Sequence, residues 1–332
     1  MRLSFVIPAY NEEAYLGKCL DSIFNELKRS RYDTEIIVVN NASTDKTRAV
    51  AERYPGVKIV DEPQRGLVRA RRAGFLAARG DLIANVDADT ILSPNWLKTV
   101  FGEFEKNPKL VALSGPFIYY DLPPKVNFWV KPFYYIAFLT YFLNRYIFRL
   151  GSVLQGGNFV VKRDALIAAG GYNPEIEFYG EDTDIARRLH KIGQVKFTFN
   201  LPIFASGRRL AKEGALTMAL RYGINYFWMI FFKKPFSKTS ITIRVEQKDG
   251  RLEYCPANKA REWLIASISV LILLVFLGGA AYIGYRLIES GVIQTISLVQ
   301  IKARANRLNT QLNSFSNTIE NKIQTKINEL SQ

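Results

Sequence analysis

The 332-residue chain has only two cysteines, Cys19 and Cys255, and a single histidine, His190. Two cysteines allow at most one internal disulfide. That excludes a small secreted scaffold built on cystine bridges and favours a reducing compartment. No cysteine–histidine set with zinc-ligand spacing is present. His190 has no ligand partner in sequence and reads as a surface or helix-packing residue. Acidic residues are in deficit: 30 Asp and Glu stand against 45 Lys and Arg, a formal charge of +15. The excess points to anionic partners such as membrane lipid, nucleotide phosphate or nucleic acid. The basic residues are dispersed and no nucleic-acid recognition module is visible, so no nucleic-acid partner is expected. With 48% hydrophobic and 23% charged residues, a wholly disordered or collagen-like chain is excluded.

Long charge-free apolar runs are scarce as well. The opening stretch MRLSFVIPAYNEE breaks at Pro8, too early for a signal-peptide core, and reads as a first buried strand. The exception comes late. Residues 264–285, after Trp263, carry no charge and are long enough to cross roughly 30 Å of hydrocarbon as a helix. Trp263, Tyr282 and Tyr285 suit the two interfaces, and Arg261 and Arg286 stand just outside. A transmembrane helix over 263–286 is therefore expected, with a buried helix as the alternative. Basic residues flank both ends, so charge counting alone does not orient it.

Up to residue 115 the chain alternates short β-rich runs with amphipathic stretches. Strands are expected at Leu3–Ile7, Glu35–Val39, Val57–Val60, Leu82–Val86 and Leu110–Ser114, and helices near 12–29, 45–54, 66–79 and 94–106. This order means βαβ units and a mostly parallel sheet in an α/β fold. Ser43 or Thr44 can cap the second helix, and Ser93-Pro94 can open the fourth. In such sheets ligands sit beyond the carboxyl ends of the strands, where Tyr10-Asn11-Glu12, Asn40-Asn41 and Asp87-Ala88-Asp89 all fall.

Past Pro116 the alternation stops. Residues 128–148 and 216–234 are dense in aromatics and bracketed by Lys and Arg, which fits helices in a membrane interface. Core helices and a re-entrant hairpin are the other two readings. Residues 246–262 read as a linker. The tail, 290–332, repeats apolar residues at Leu308, Leu312, Phe315, Ile319, Ile323, Ile327 and Leu330, an amphipathic helix with an imperfect heptad. The pattern fits self-association, packing on the membrane, and loose order alike.

Asp87 and Asp89 follow a buried run with one residue between them, which sends both side chains to one side of an extended segment. Paired carboxylates at a strand end are costly unless neutralised, and a hard divalent cation with substrate phosphates is a natural partner. The bland alternative is a pair of solvated loop acids.

Six stretches then occur in a telling order: VIPAYNEE (6–13), VVNNASTDKT (38–47), RGLVRARRAGFLAARGD (65–81), NVDADT (85–90), GGNFVVKRDAL (156–166) and GEDTDIARRL (180–189). On these the chain resembles the family 2 inverting glycosyltransferases of the GT-A fold, over residues 1–190. The resemblance implies a GT-A domain over residues 1–245 and transfer from a nucleotide-sugar donor, with Mg²⁺ or Mn²⁺ as cofactor. It places Pro8, Ala9, Tyr10, Asn11 and Glu12 in a donor-facing loop. Asn41 falls where an aspartate often meets the base, and Asp45 is expected to order the loop. Arg71 belongs to a helix behind the donor, pairing with a loop acid or a phosphate. Asp87, Ala88 and Asp89 form the metal motif, with Asp89 the better ligand and Asp87 supporting ribose and metal water. Asp182 matches the usual base, and Glu181 would orient hydroxyls. Q-x-x-R-W, typical of processive synthases, is absent. In its place stands Ser206-Gly207-Arg208-Arg209, whose arginines are candidate phosphate contacts or part of a basic membrane-facing patch.

Two acceptors fit this reading: a polyprenyl phosphate or polyprenyl-linked saccharide, and a membrane glycolipid or cell-envelope polysaccharide. A non-catalytic membrane scaffold is the contrasting class, disfavoured by the retained acids. Cytosolic supply of nucleotide-sugars in the resembling bacterial enzymes implies a single-pass protein of the cell membrane with its catalytic domain in the cytoplasm.

Overall fold

A computed structural model describes residues 1–122 and 153–237, with the single positions Tyr134, Phe138 and Thr310. The chain divides into two compact units, Met1–Pro256 and Ala257–Gln332, and nearly all described residues lie in the first. The expected span at 263–286, the linker at 246–262, and all but single positions of 128–148 and of the tail fall outside the described residues. Among those that are described, no helix is long and apolar enough to cross a membrane.

The first half forms β1 (Leu3–Ala9), α1 (Leu16–Lys28), β2 (Thr34–Asn41), α2 (Thr47–Glu52), β3 (Val57–Glu62), α3 (Leu67–Ala77), β4 (Leu82–Val86), β5 (Thr90–Leu92), α4 (Trp96–Lys106) and β6 (Leu110–Ser114). Then come β7 (Phe117–Tyr119), β8 (Asn158–Lys162), α5 (Arg163–Ala168), α6 (Glu181–Leu189), β9 (Gln194–Phe197), β10 (Ile203–Ala205), α7 (Arg208–Glu213) and α8 (Ala215–Phe232). All five expected strands and four expected helices are present.

The main sheet has seven strands in the order β3-β2-β1-β4-β8-β6-β9. It is mostly parallel: β8 alone runs against its neighbours, β4 and β6. Alternation along β1 sorts the layers. Leu3, Phe5 and Ile7 face α1 and α4, while Val6 joins Ile37 and Val39 against α3, α5 and α6. On α1, buried Leu16, Cys19, Leu20 and Ile23 recur at helical spacing and make its inner stripe. Each buried Leu, Ile or Phe of these layers contributes about 1.5–3 kcal/mol by leaving water, so the sheet is a rigid platform for the loops at its edge. A second, three-stranded sheet runs β5-β10-β7. Because β5 begins one residue after Asp89 and pairs with β10, the turn holding Asp89 is tied to the residues that follow β10.

Both expected helix caps differ. Neither Ser43 nor Thr44 caps α2: Ser43 Oγ accepts the Asn11 amide at 3.1 Å, and Asp45 Oδ1 accepts the Thr47 amide at 2.9 Å. Helix α4 starts at Trp96, after Asn95 in the left-handed region, and not at Ser93-Pro94. Its free amides at Asn95 and Leu97 donate to the buried Glu26 carboxylate, at 3.1 and 3.4 Å. A carboxylate at a helix N-terminus is favoured by the orphan amides and the dipole. Here it arrives from α1, far away in sequence.

Candidate active site

The site lies where β1, β2 and β4 end. Pro8 and Ala9 are the last residues of β1, in register with Val39 and Asn40. Asn11 then turns into the left-handed region. Its Oδ1 accepts the Thr44 amide at 2.8 Å, and Asp45 accepts the Glu13 amide at 3.1 Å, so Asp45 does order this loop. Tyr10 lies under the Arg65 guanidinium, 4.4 Å from ring centre to Cζ. The side chain of Asn41 is buried and turned toward the 62–66 loop. Its Nδ2 donates to the carbonyls of Glu62 and Gln64, at 3.1 and 2.8 Å, and its Oδ1 accepts the Gly66 amide at 2.8 Å. Asn41 thus shapes the 62–66 loop beside the end of β2.

Two arginines organise the carboxylates. Arg71 of α3 is 1% exposed; one arm bonds Glu181, and the other reaches Asp87 Oδ1 at 3.0 Å. Its guanidinium also sits 5.6 Å from the Phe159 ring centre. One buried fork therefore joins the end of β4 to the start of α6. Asp182, beside Glu181, accepts the Gly156 amide at 3.1 Å and the Thr183 amide at 2.7 Å. Burial pushes the Asp182 carboxyl above the usual carboxylate range, against the pull of those amides and of Arg71. Burial likewise raises Asp87, with Arg71 opposing and Asp89 adding to the rise. Gly157 is required here: at φ +82°, a Cβ on it would come within 2.1 Å of Asp87 Oδ2.

Arg208 is the second organiser. Its Nη2 lies 2.5 Å from Glu12 Oε1 and 2.9 Å from Asp89 Oδ2, and the Tyr15 ring sits under its guanidinium at 4.6 Å. Burial opposes its charged form, but Asp89 and Glu12 outweigh that and hold it firmly protonated. The backbone brings it there: the Ser206 amide donates to the Asp89 carbonyl at 3.1 Å, and Asp121 accepts both Ser206 Oγ and the Gly207 amide at 2.6 Å. Arg209 points elsewhere, pairing with Glu213 at 2.9 Å over the Phe178 ring. Ala88 is buried in the core between the two aspartates. Sequence reasoning had no signal for the bond from Arg208 to Glu12 or for the anchoring role of Asp121, since neither lies in a local pattern with its partner.

The residues suit a hard divalent cation. Asp87 and Asp89 offer only oxygen donors, Asp89 pairs with Arg208, and Gly157 puts no side chain against Asp87 Oδ2, where a Cβ would clash. Among the described residues no cluster of three His, Cys, Asp or Glu side chains surrounds such a site, so substrate oxygens and water would complete the shell.

A family model, Glycosyl transferase family 2, matches residues 4–170, half of the chain. The chain belongs to this family. The family 2 match takes in the Asp87–Asp89 motif and stops short of Glu181, Asp182 and Arg208. A dolichyl-phosphate beta-glucosyltransferase of Trichomonas vaginalis is 42% identical over 97 residues, covering 26% of this chain and 30% of that protein. The glucosyl-dolichyl phosphate glucuronosyltransferase of Haloferax volcanii is 23% identical over 186 residues, 52% of this chain and 56% of that one. The aligned stretches thus span between 30% and 56% of those relatives' length. Among solved structures, a mannosyltransferase of Pyrobaculum calidifontis superposes with a TM-score of 0.54 at 21% identity, over 70% of this chain and 63% of that one. That likeness establishes the GT-A-like α/β fold.

Proposed function

We propose that this family 2 protein transfers a sugar from a nucleotide-sugar to a lipid-linked acceptor at a membrane, a polyprenyl phosphate or polyprenyl-linked saccharide, with inversion at the anomeric carbon. The observation that carries the reading is the buried Arg71 fork between Asp87 and Glu181. It fixes the donor-side acid and the pair Glu181-Asp182 in one frame, and near-attack placement is where much of a transferase's rate arises. Asp89 and Asp87 would hold the divalent cation, which when bound neutralises charge on the leaving diphosphate. The Pyrobaculum protein was solved with GDP-mannose and Mn²⁺, the two kinds of ligand this reading needs.

Asp182 is the base in this reading. Its two oxygens are steadied by the Gly156 and Thr183 amides, and its raised pKa brings it nearer the range in which a carboxylate accepts a hydroxyl proton effectively. Glu181, held by Arg71, orients hydroxyls.

The acceptor class rests on α8. Its Met229 lies against Gly180, where a Cβ would come within 2.5 Å of it, directly before Glu181. The same helix exposes Ile224, Trp228 at 39% and Phe232 at 59%, four residues apart, and Phe236, Lys233 and Lys234 follow, all exposed. An aromatic stripe with a cationic end is suited to a lipid surface, and two relatives are named for dolichyl-linked chemistry. The catalytic unit would face the cytoplasm, anchored by residues 264–285. The test is a donor and acceptor panel on the full-length protein in native lipid with Mn²⁺, products identified by mass. Transfer to polyprenyl phosphate or a polyprenyl-linked saccharide, lost in Asp89→Ala, supports the reading; transfer only to water-soluble acceptors refutes it.

A further inference from the structure

The Arg208 guanidinium occupies an odd place for a residue reserved for substrate. It is 11% exposed, and a single nitrogen, Nη2, is shared by Glu12 at 2.5 Å and Asp89 at 2.9 Å. Its Nε is buried and meets no hydrogen-bond partner among the described residues. A buried donor left unmade is a cost that a bound acceptor would remove. Asp89, for its part, is a metal-motif carboxylate already neutralised by a protein cation.

We infer that Arg208 is a resident counter-cation: it pairs with Asp89, gives way when a divalent ion binds there, and is then taken up by the donor's diphosphate. The inference rests on the assignment of Asp89 as a metal ligand. Its physical logic is charge conservation. Glu12 and Asp89, at the mouth of β1 and β4, both meet the positive charge of Arg208. A divalent ion arriving alone meets a like charge a few ångströms away, within reach of strong Coulomb repulsion at a partly buried site. A nucleoside diphosphate arriving with it gives the guanidinium a bidentate anionic partner. Metal and donor therefore load together, and by linkage each tightens the other by the same factor. Metal alone is held loosely, which keeps the empty enzyme from being locked by free cation. The planar fork matters: an ammonium in its place has no second arm to hand to phosphate while keeping Glu12.

The test is a titration of Mn²⁺ into purified full-length protein, following the free-ion EPR signal without nucleotide and then with UDP or GDP. Arg208→Gln should bind Mn²⁺ alone about tenfold more tightly than wild type, within the usual span of coupling between sites, and should lose most of the tightening that nucleotide confers. Arg208→Lys keeps the charge without the fork, and should leave Mn²⁺ alone within about twofold of wild type while losing part of the tightening that nucleotide confers. Arg209→Gln, one residue on but paired with Glu213, should leave Mn²⁺ affinity within about twofold, as the repulsion falls with distance. Unchanged or weaker Mn²⁺ binding in Arg208→Gln, or full nucleotide tightening kept in both Arg208 variants, overturns the inference. So does equal tightening in Arg209→Gln, which would reduce the effect to overall charge. If Asp89→Asn binds Mn²⁺ as wild type does, the metal assignment itself fails and the resident-cation role falls with it. If Asp89→Asn loses Mn²⁺ while the Arg208 variants do not change it, only the role of Arg208 is refuted.

Discussion

Replacing Arg71 with Met tests the frame on which the whole site depends. The methionine keeps most of the stem's volume and removes the fork, leaving Glu181 without its ion pair at a position only 6% exposed. Breaking a buried pair by deleting one partner costs about 3–5 kcal/mol. For a domain of this size each kcal/mol moves the melting temperature by about 2–4 °C, so the full chain should melt roughly 6–20 °C lower. The deficit should depend on pH. Burial already raises the Asp87 carboxyl and Arg71 is the main influence opposing it, so the variant's Asp87 rises further. A carboxyl whose pKa is higher in the folded chain than in the unfolded one destabilises increasingly as pH rises through that interval. Arg71→Met should therefore lie closer to wild type in mildly acidic buffer than in alkaline buffer. Arg71→Lys retains a charge but only one arm, and should fall between. Scanning calorimetry at several pH values decides it. A melting point within about 1 °C of wild type, or a deficit that grows on acidification, would refute the argument that Arg71 compensates two carboxylates at once.

Asp182→Asn should lower turnover on a hydroxyl acceptor by roughly 10²–10⁴-fold, the scale of general base catalysis, with donor affinity little changed; a phosphate acceptor, already anionic, should show a smaller loss in steady-state assays. Because burial raises the Asp182 pKa, the wild-type rate should climb with pH through a limb displaced above an ordinary aspartate's, and that limb should vanish in the Asn variant. Asn158→Leu should destabilise by about 2–5 kcal/mol in chemical denaturation, since Asn158 holds the Trp96 indole at 3.2 Å and the carbonyls of Gly115 and Leu201 at 3.0 and 2.8 Å. Gly157→Ala should abolish transfer while leaving the core packed, as its methyl would land on Asp87; unimpaired product formation would show the turn to be slack. A cysteine at Ser316, with Cys19 and Cys255 replaced, should react with an impermeant thiol reagent on intact cells, whereas one at Ser30 should react only after lysis; protection of position 316 until lysis would count against a span at 264–285.

The elements legible in the sequence were those with local causes. β1 to β6 announce themselves by apolar runs between amphipathic stretches, and Asp87 and Asp89 by their place after one of those runs. What escaped notice was held by distant partners. The start of α4 is satisfied by Glu26, 69 residues before Asn95. β8 has the apolar character of a strand, yet only the fold shows that it slots antiparallel between β4 and β6. Asn41 reads as a ligand-facing polar residue, and its bonds to the 62–66 backbone, 21 and 23 residues away, were not legible. Arg208 reaches Glu12 across 196 residues, a meeting no periodicity encodes.

The reversed direction of β8 has a consequence for how the family can diversify. The chain leaves the sheet after Ser114 and returns at Asn158, and the two points are clasped: Ser114 Oγ donates to the Asn158 carbonyl at 2.8 Å, and Asn158 Nδ2 donates to the Gly115 carbonyl at 3.0 Å. The two feet of that excursion are fastened to each other. Doubling the length of such a loop costs only about 0.6 kcal/mol in closure entropy. Asp121 must stay, because it holds Ser206 and Gly207; a change of length beyond it would leave Gly156, Gly157 and the acids they touch in place, so new recognition surfaces could be grafted there while the transfer chemistry is inherited unchanged.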